Sequence, residues 1–286
     1  MIAMAKVSIP GRALELPMPG AAAARVHRDN LALRALRKLK NLALLFALLL
    51  LWQAASTWML DATTRTLLPP PTAVLRAAWE LVSTGELFRH LRDSLKREVV
   101  AFLWATTSIP LGIAMGWSKF VNDQVDPVIE MLRPVPPLAW IPLSILWFGI
   151  GDTQNQFIIF LGIFFPILLN TIAGVVGVEP NLIRAARCLG ASEWEVLRRV
   201  VLRAALPQIV TGIRIGLGVG WMALVAAELV GANSGLGFLI NDARTVLRTD
   251  YVIVGMATIG LVGLLIDWLI RVLVRRLLPW SRAMSK

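Results

Sequence analysis

Long stretches without a charge alternate with short charged ones along this chain. Asn41–Leu60, Val99–Ser118, Pro134–Gly151 and Thr153–Val178 hold no Asp, Glu, Lys or Arg. Ala204–Ala227 holds only Arg214, and Tyr251–Ile270 only Asp267. An α-helix rises about 1.5 Å per residue, so roughly 20 apolar residues cross the hydrocarbon of a bilayer. A soluble helix would bring a polar face round every 3.6 residues, and these stretches do not. The pattern predicts an all-α membrane protein with six transmembrane helices.

The polar segments between them carry the next signals. Leu75, Trp79, Leu81 and Val82, then Leu87, Phe88, Leu91 and Leu95, recur near helical spacing after the turn Pro69-Pro70-Pro71. Residues 61–98 therefore read as one or two amphipathic helices. Basic residues crowd the N-terminal arm (Arg25, Arg28, Arg34, Arg37, Lys38, Lys40), the loop between the fourth and fifth spans (Arg184, Arg187, Arg198, Arg199, Arg203) and the end (Arg271, Arg275, Arg276, Arg282, Lys286). Cytoplasmic loops collect such residues, which puts both termini in the cytoplasm and 61–98 outside. That outer segment fits the rule poorly, since it holds Arg65, Arg76, Arg89, Arg92, Lys96 and Arg97. Met1–Asn30 has no long apolar core and reads as a cytoplasmic tail, not a signal peptide; the first apolar run is too long for one.

Composition agrees. Of 286 residues, 57% are apolar and 16% charged, against roughly 45–50% and 25% in soluble domains. A disordered chain, a disulfide scaffold and an ordinary cytosolic enzyme are excluded. The net charge of +11 would suit nucleic acid, but it lies in the loops between spans, where a bilayer accounts for it. Catalytic chemistry is missing. No P-loop, H-E-x-x-H, C-x-x-C or G-x-S-x-G occurs, and one cysteine with two histidines makes no metal site. His27 and His90 read as solvated surface residues, so no catalytic and no metal-binding residue is assigned.

One cytoplasmic segment is informative, residues 179–203. Pro180 suits the first turn of a helix. Gly190 is placed to end it in a left-handed conformation. Ser192 and Glu195 form a Ser-x-x-Glu capping box that starts a second helix. Two short helices thus meet at a corner, with small residues Ala185, Ala186 and Gly190 and flanking arginines suited to an acidic partner; an ordinary helical loop is the alternative.

Arg184-Ala-Ala-x-x-x-Gly190, followed by Val200-x-Leu202, resembles the loop signature of ABC-importer permeases, Glu-Ala-Ala-x-x-x-Gly-x₉-Ile-x-Leu-Pro. Arg184 stands where that pattern has Glu, and Arg203 where it has Pro. Leu132-Arg-Pro-Val-Pro-Pro-Leu-Ala-Trp-Ile-Pro-Leu143 and Trp147-Phe-Gly-Ile-Gly151 are similar to the taurine, alkanesulfonate and nitrate importer permeases. Gly216-Leu-Gly-Val-Gly-Trp221, Leu224-Val-Ala-Ala-Glu-Leu229 and Gly235-Leu-Gly-Phe238 look most like the taurine member. The resemblance covers Leu67 to the C-terminus. It implies a type I ABC importer permease fold whose coupling helices press on an ATPase through Arg184, Ala185, Ala186, Leu189, Gly190, Ala191, Ser192 and Glu195.

The resemblance further implies a permease homodimer in a bacterial inner membrane, two ATPase subunits that bind ATP and Mg, and an extracytoplasmic binding protein delivering a small oxyanion. The permease itself would bind no cofactor, perform no bond chemistry and meet no nucleic acid. On this reading the chain divides into a tail (1–30), a basic segment with the first membrane helix (31–60), the outer amphipathic segment (61–98), a permease core (99–275, with the coupling loop 179–203) and a C-terminal tail (276–286). A secondary transporter would instead show internal repeats with matching broken helices, and none is apparent.

Within the membrane, Pro134, Pro136, Pro137 and Pro142 break the third span, which reads either as a bent element beside a pore or as a kinked packing helix. Gly212, Gly216 and Gly220 form a packing stripe on the fifth, within one subunit or between two. Charges in hydrocarbon are costly and face protein or water. Arg214 either snorkels or joins a path, Glu228 suits a structural or gate contact, and Asp267 pairs at i,i+4 with Arg271. Arg214 and Glu228, with Trp140, Trp147 and Trp221, are the candidate lining of a translocation path.

Overall fold

The computed structural model describes residues 43–44 and 46–277 and is α-helical throughout. The expected tail 1–30, His27 and residues 278–286 lie outside the described residues. The chain divides into two units, Met1–Met59 and Leu60–Lys286. The first contributes an apolar helix, α1 (Phe46–Trp58), passing into a π-helical turn at Ala55–Met59.

The second unit holds α2 (Ala62–Leu67), α3 (Pro71–Ser83), α4 (Glu86–Ala105), α5 (Ser108–Trp117), α6 (Lys119–Leu132), α7 (Ile141–Phe148) and α8 (Asp152–Val176). There follow α9 (Pro180–Cys188), α10 (Glu193–Glu195), α11 (Leu202–Gly231), α12 (Leu236–Thr245) and α13 (Thr249–Leu277). A π-helical turn, Val196–Val201, welds α10 to α11, so Glu193–Gly231 is one rod of 39 residues. Among the described residues four helical stretches are long and apolar enough to cross a membrane: Glu86–Trp117, Asp152–Val176, Glu193–Gly231 and Thr249–Val274.

Two sequence expectations change here. The break anticipated at residue 98 does not exist, because α4 runs through it and continues into α5 with one step at Thr106–Thr107. The hydroxyls of Thr106 and Thr107 donate to the Leu103 and Trp104 carbonyls at 2.6 and 2.7 Å. Pro110 brings no N–H for the Thr106 carbonyl, which explains the step. The amphipathic segment's second half is thus the beginning of a membrane helix. The span read over 134–151 is shorter than a crossing: its apolar helical part is Pro137–Phe148, a 3₁₀ turn leading into α7. Its prolines forbid helix before them and divide it from α6.

The bundle is built on α8 and α11, which lie antiparallel. Gly212, Gly216 and Gly220 let them touch. A Cβ on Gly212 would stand 2.7 Å from Asn170 Cβ, and one on Gly220 only 2.4 Å from Ile163 Cγ1. The stripe therefore packs inside one chain. On the other side of α8, Gly112 and Gly116 of α5 meet Thr171 and Val175 at similarly short range. Ala101, Ala105, Ile159, Ile163, Ile167, Trp221, Leu224 and Leu236 form the buried centre. In lipid, where apolar burial drives little, this backbone proximity supplies the van der Waals contact that holds the helices together.

Candidate functional site: an exposed corner and a buried charged knot

At one end of the bundle the 179–203 segment forms a corner, but only its first helix is short: the second, expected to be short as well, continues through the π-helical turn into α11. Pro180 opens α9, Leu189 closes it, and Gly190 follows at φ +83°, a left-handed conformation costly to any residue with a Cβ. Gly190 N–H bonds the Arg187 carbonyl and Ala191 N–H reaches back to Ala186 at 3.1 Å. The capping box is complete: Ser192 Oγ accepts from Glu195 N–H at 3.4 Å, and Glu195 Oε2 accepts from Ser192 N–H at 3.1 Å. Arg187 and Glu193 pair across the turn at 2.9 Å.

Ile183, Ala186, Ala191 and Leu197 anchor the corner to Val175, Val178, Val196, Val201, Ala205 and Ile209. Its outer face is apolar and uncovered. Leu189 is 88% exposed and Trp194 67%. Arg184, Ala185 and Ser192 are exposed on the same corner. A rigid, capped turn that holds large apolar side chains outward has the form of a docking element.

At the opposite end lies a knot that sequence reading did not find. Arg97 on α4, 2% exposed, reaches three elements at once. It meets Glu228 of α11 at 2.7 Å and Asp152 of α8 at 2.7 Å, and donates to the Ser234 carbonyl at 2.6 Å and Ser234 Oγ at 2.9 Å. Glu228 also accepts from Ser94 Oγ at 2.8 Å and from Gly237 N–H at 2.9 Å. Leu236 N–H donates to Ser94 Oγ, and Gly235 N–H to His90 Nδ1 at 3.0 Å. Gly235 sits at φ +112°, and a Cβ there would come 2.3 Å from the Glu228 carboxyl carbon, so the 231–237 turn closes directly on that acid. Every charge at the centre of this knot is spent on another group. It binds helices together, and Arg97, Glu228 and Ser94 at its centre are all engaged.

His90 is accordingly a buried hydrogen-bond acceptor, not a solvated residue. Glu98, also buried, lies over Gly220 with both carboxyl oxygens unpartnered among the described residues. The missed residues Ser94, Arg97 and Glu98 sit in a run whose charges at 92, 93, 96, 97 and 98 look solvent-facing. The spacing of His90, Ser94 and Arg97 on one helical face was the available signal.

The five residues proposed for a translocation path do not converge. Trp140 and Trp147 join Phe148 and Phe157 in an aromatic cluster. Trp221 is in the core, donating its indole N–H to the Ile259 carbonyl at 3.2 Å. Glu228 is in the knot. Arg214 pairs with Asp267 at 2.9 Å, and Asp267 also pairs with Arg271 one turn on. Arg214 is therefore tied to α13, not snorkelling freely.

These two ends are joined by apolar helices of membrane length: the class defined is a multi-pass α-helical membrane protein with a permease-like bundle. Its fold matches the methionine ABC transporter MetNI in inward-facing conformations, with TM-score 0.57 and 22% identity over 68% of this chain and 94% of that one. The family model for the binding-protein-dependent transport system inner membrane component matches residues 108–279. The taurine transport system permease protein TauC of Escherichia coli is 45% identical over 84% of this chain and 89% of its own. SsuC of Bacillus subtilis, named for aliphatic sulfonates transport, is 40% identical over 86% and 88%. The nitrate import permease protein NrtB of Leptolyngbya laminosa is 35% identical over 73% and 78%. The chain belongs to the binding-protein-dependent transport system inner membrane component family.

Proposed function

We propose that this chain is the membrane-spanning subunit of an ATP-driven importer for a small oxyanion of the taurine, alkanesulfonate or nitrate kind. In this reading two copies pair, α1 and Pro137–Phe148 complete the membrane elements, and both termini face the cytoplasm. Two partner ATPases bind ATP and Mg, and an extracytoplasmic protein delivers the solute. The corner formed by α9 and α10 is the coupling element: ATPase closure displaces it, and the movement passes along the rod Glu193–Gly231. The relatives' names support the substrate class.

The observation that carries the proposal is the corner itself, with Leu189 and Trp194 held outward on a turn fixed by Gly190 and the Ser192–Glu195 box. Arg184 and Arg203 depart from the family signature and widen the basic rim around it. The test is association with the cognate ATPase. Because Leu189 and Trp194 are exposed, Leu189→Asp with Trp194→Ala leaves the permease folded and inserted but abolishes ATPase co-purification and transport. A variant that still assembles and transports at the unmodified rate overturns the assignment.

A further inference from the structure

The contacts of α11 leave one face of that helix unexplained. Ala205, Ile209, Gly212, Gly216, Gly220 and Ala223 are buried, whereas Gln208, Thr211, Arg214, Gly218 and Met222, at the three- and four-residue steps of one helix face, are exposed. The stripe is polar over its half nearer the corner. Gln208 donates one amide N–H to Asn170 Oδ1 at 3.0 Å, and Asn170 donates one of its own to the Pro166 carbonyl at 2.8 Å. Each amide keeps a second N–H. Gly218 has nothing within 4 Å of where a Cβ would stand, so the stripe opens onto space there.

Arg214 gives this face a sign. Its Nε donates to Asp267 Oδ1, while its two terminal nitrogens have no partner among the described residues. Arg271 engages the other oxygen of the same carboxylate. Two guanidiniums on one carboxylate leave a surplus positive charge, and the Arg214 side chain is 47% exposed. Arg97, by contrast, is 3% exposed and wholly engaged. A half-exposed guanidinium with a free planar edge, beside spare amide donors on a membrane helix, cannot rest in hydrocarbon without cost, and it matches a small oxyanion in shape and charge.

We infer that this stripe lines a water-filled anion path, with the free edge of Arg214 contacting the oxyanion and Asp267 holding that arginine in place. This rests on the importer reading above and adds the surface along which the solute moves. The surplus charge makes the contact, while Asp267 keeps the arginine from trapping the anion.

The test uses full-length chain in inside-out membrane vesicles, with Cys188→Ser removing the native thiol. Single cysteines at Thr211, Gly218 and, as an exposed apolar control on α13, Leu265 are labelled with the anion sulfonatoethyl methanethiosulfonate or the cation trimethylammonioethyl methanethiosulfonate. We expect Thr211→Cys and Gly218→Cys to react at least about tenfold faster than Leu265→Cys. Arg214→Gln lowers the anion-to-cation rate ratio about tenfold, as loss of a focusing charge does, and Arg214→Lys preserves it. Rates equal to those of Leu265→Cys would put the stripe against lipid or a second chain and overturn the inference. So would a ratio that Arg214→Gln leaves unchanged. ATPase co-purification from the same membranes is scored separately, so failure of the coupling corner and failure of the anion path are told apart.

Discussion

Arg97 shows why a single residue decides this fold. Its guanidinium neutralises Glu228, whose side chain has no exposed surface, and the two share their remaining donors and acceptors with Ser94, Ser234 and Gly237. Breaking a buried pair from one side strands the other charge, a loss of about 3–5 kcal/mol, while apolar replacement of both is often near neutral. Arg97→Met is therefore expected to lower the thermal midpoint of the purified protein steeply, and Arg97→Met with Glu228→Leu to recover most of the loss. Asp152, half-exposed, contributes less: Asp152→Asn is expected to shift the midpoint only slightly. None of this was legible from residues 92–98, because charge density in sequence does not reveal which charges turn inward. Glu228, in contrast, stands out in sequence as an acid in an apolar span, which reads as a structural contact, a gate contact or path lining; its partner Arg97 is what the sequence does not reveal.

Among the helices, what is local was legible and what is not local was missed. The turn between α9 and α10 follows its sequence reading, since Pro at N1, Gly in the left-handed region and a capping box each act within four residues of chain, but the second short helix expected there is the start of a 39-residue rod. Gly190→Ala is expected to cost about 1 kcal/mol from backbone conformation alone. Ser192→Ala is expected to cost about 1 kcal/mol through the lost cap. Both should loosen the corner and reduce transport-coupled ATP hydrolysis more than overall stability, as measured in reconstituted vesicles. The glycine stripe was visible too, but its partner was not: only the fold shows that Gly212, Gly216 and Gly220 face α8. Gly216→Leu is expected to prevent accumulation of folded protein, because a Cβ there already meets the Ile163 carbonyl at 3.0 Å. Gly218→Ala, with open space around it, should melt like the parent. The proline-rich third span shows the limit of composition: a charge-free stretch of 18 residues holds an apolar helical part of only Pro137–Phe148, because its prolines interrupt the helix.

For the molecule as a whole, the proposed topology puts the corner in the cytoplasm, and the protein carries its own reporter to test it. Cys188, the single cysteine, is exposed on the corner. A membrane-impermeant maleimide should label it in inside-out vesicles and not in intact cells, and bound ATPase should shield it. Labelling from the outside would invert the topology. The corner and the charged knot are the two ends of the same 39-residue rod, roughly 55–60 Å long at 1.5 Å per residue. Close contacts of Gly212, Gly216 and Gly220 seat its middle against α8, a point about which a displaced rod would turn. A tilt of 10° about Gly216 would swing the corner tip by roughly 6 Å and the knot tip by roughly 4 Å in opposite directions. A push at the corner would then reach the charged knot as a smaller displacement in the opposite direction.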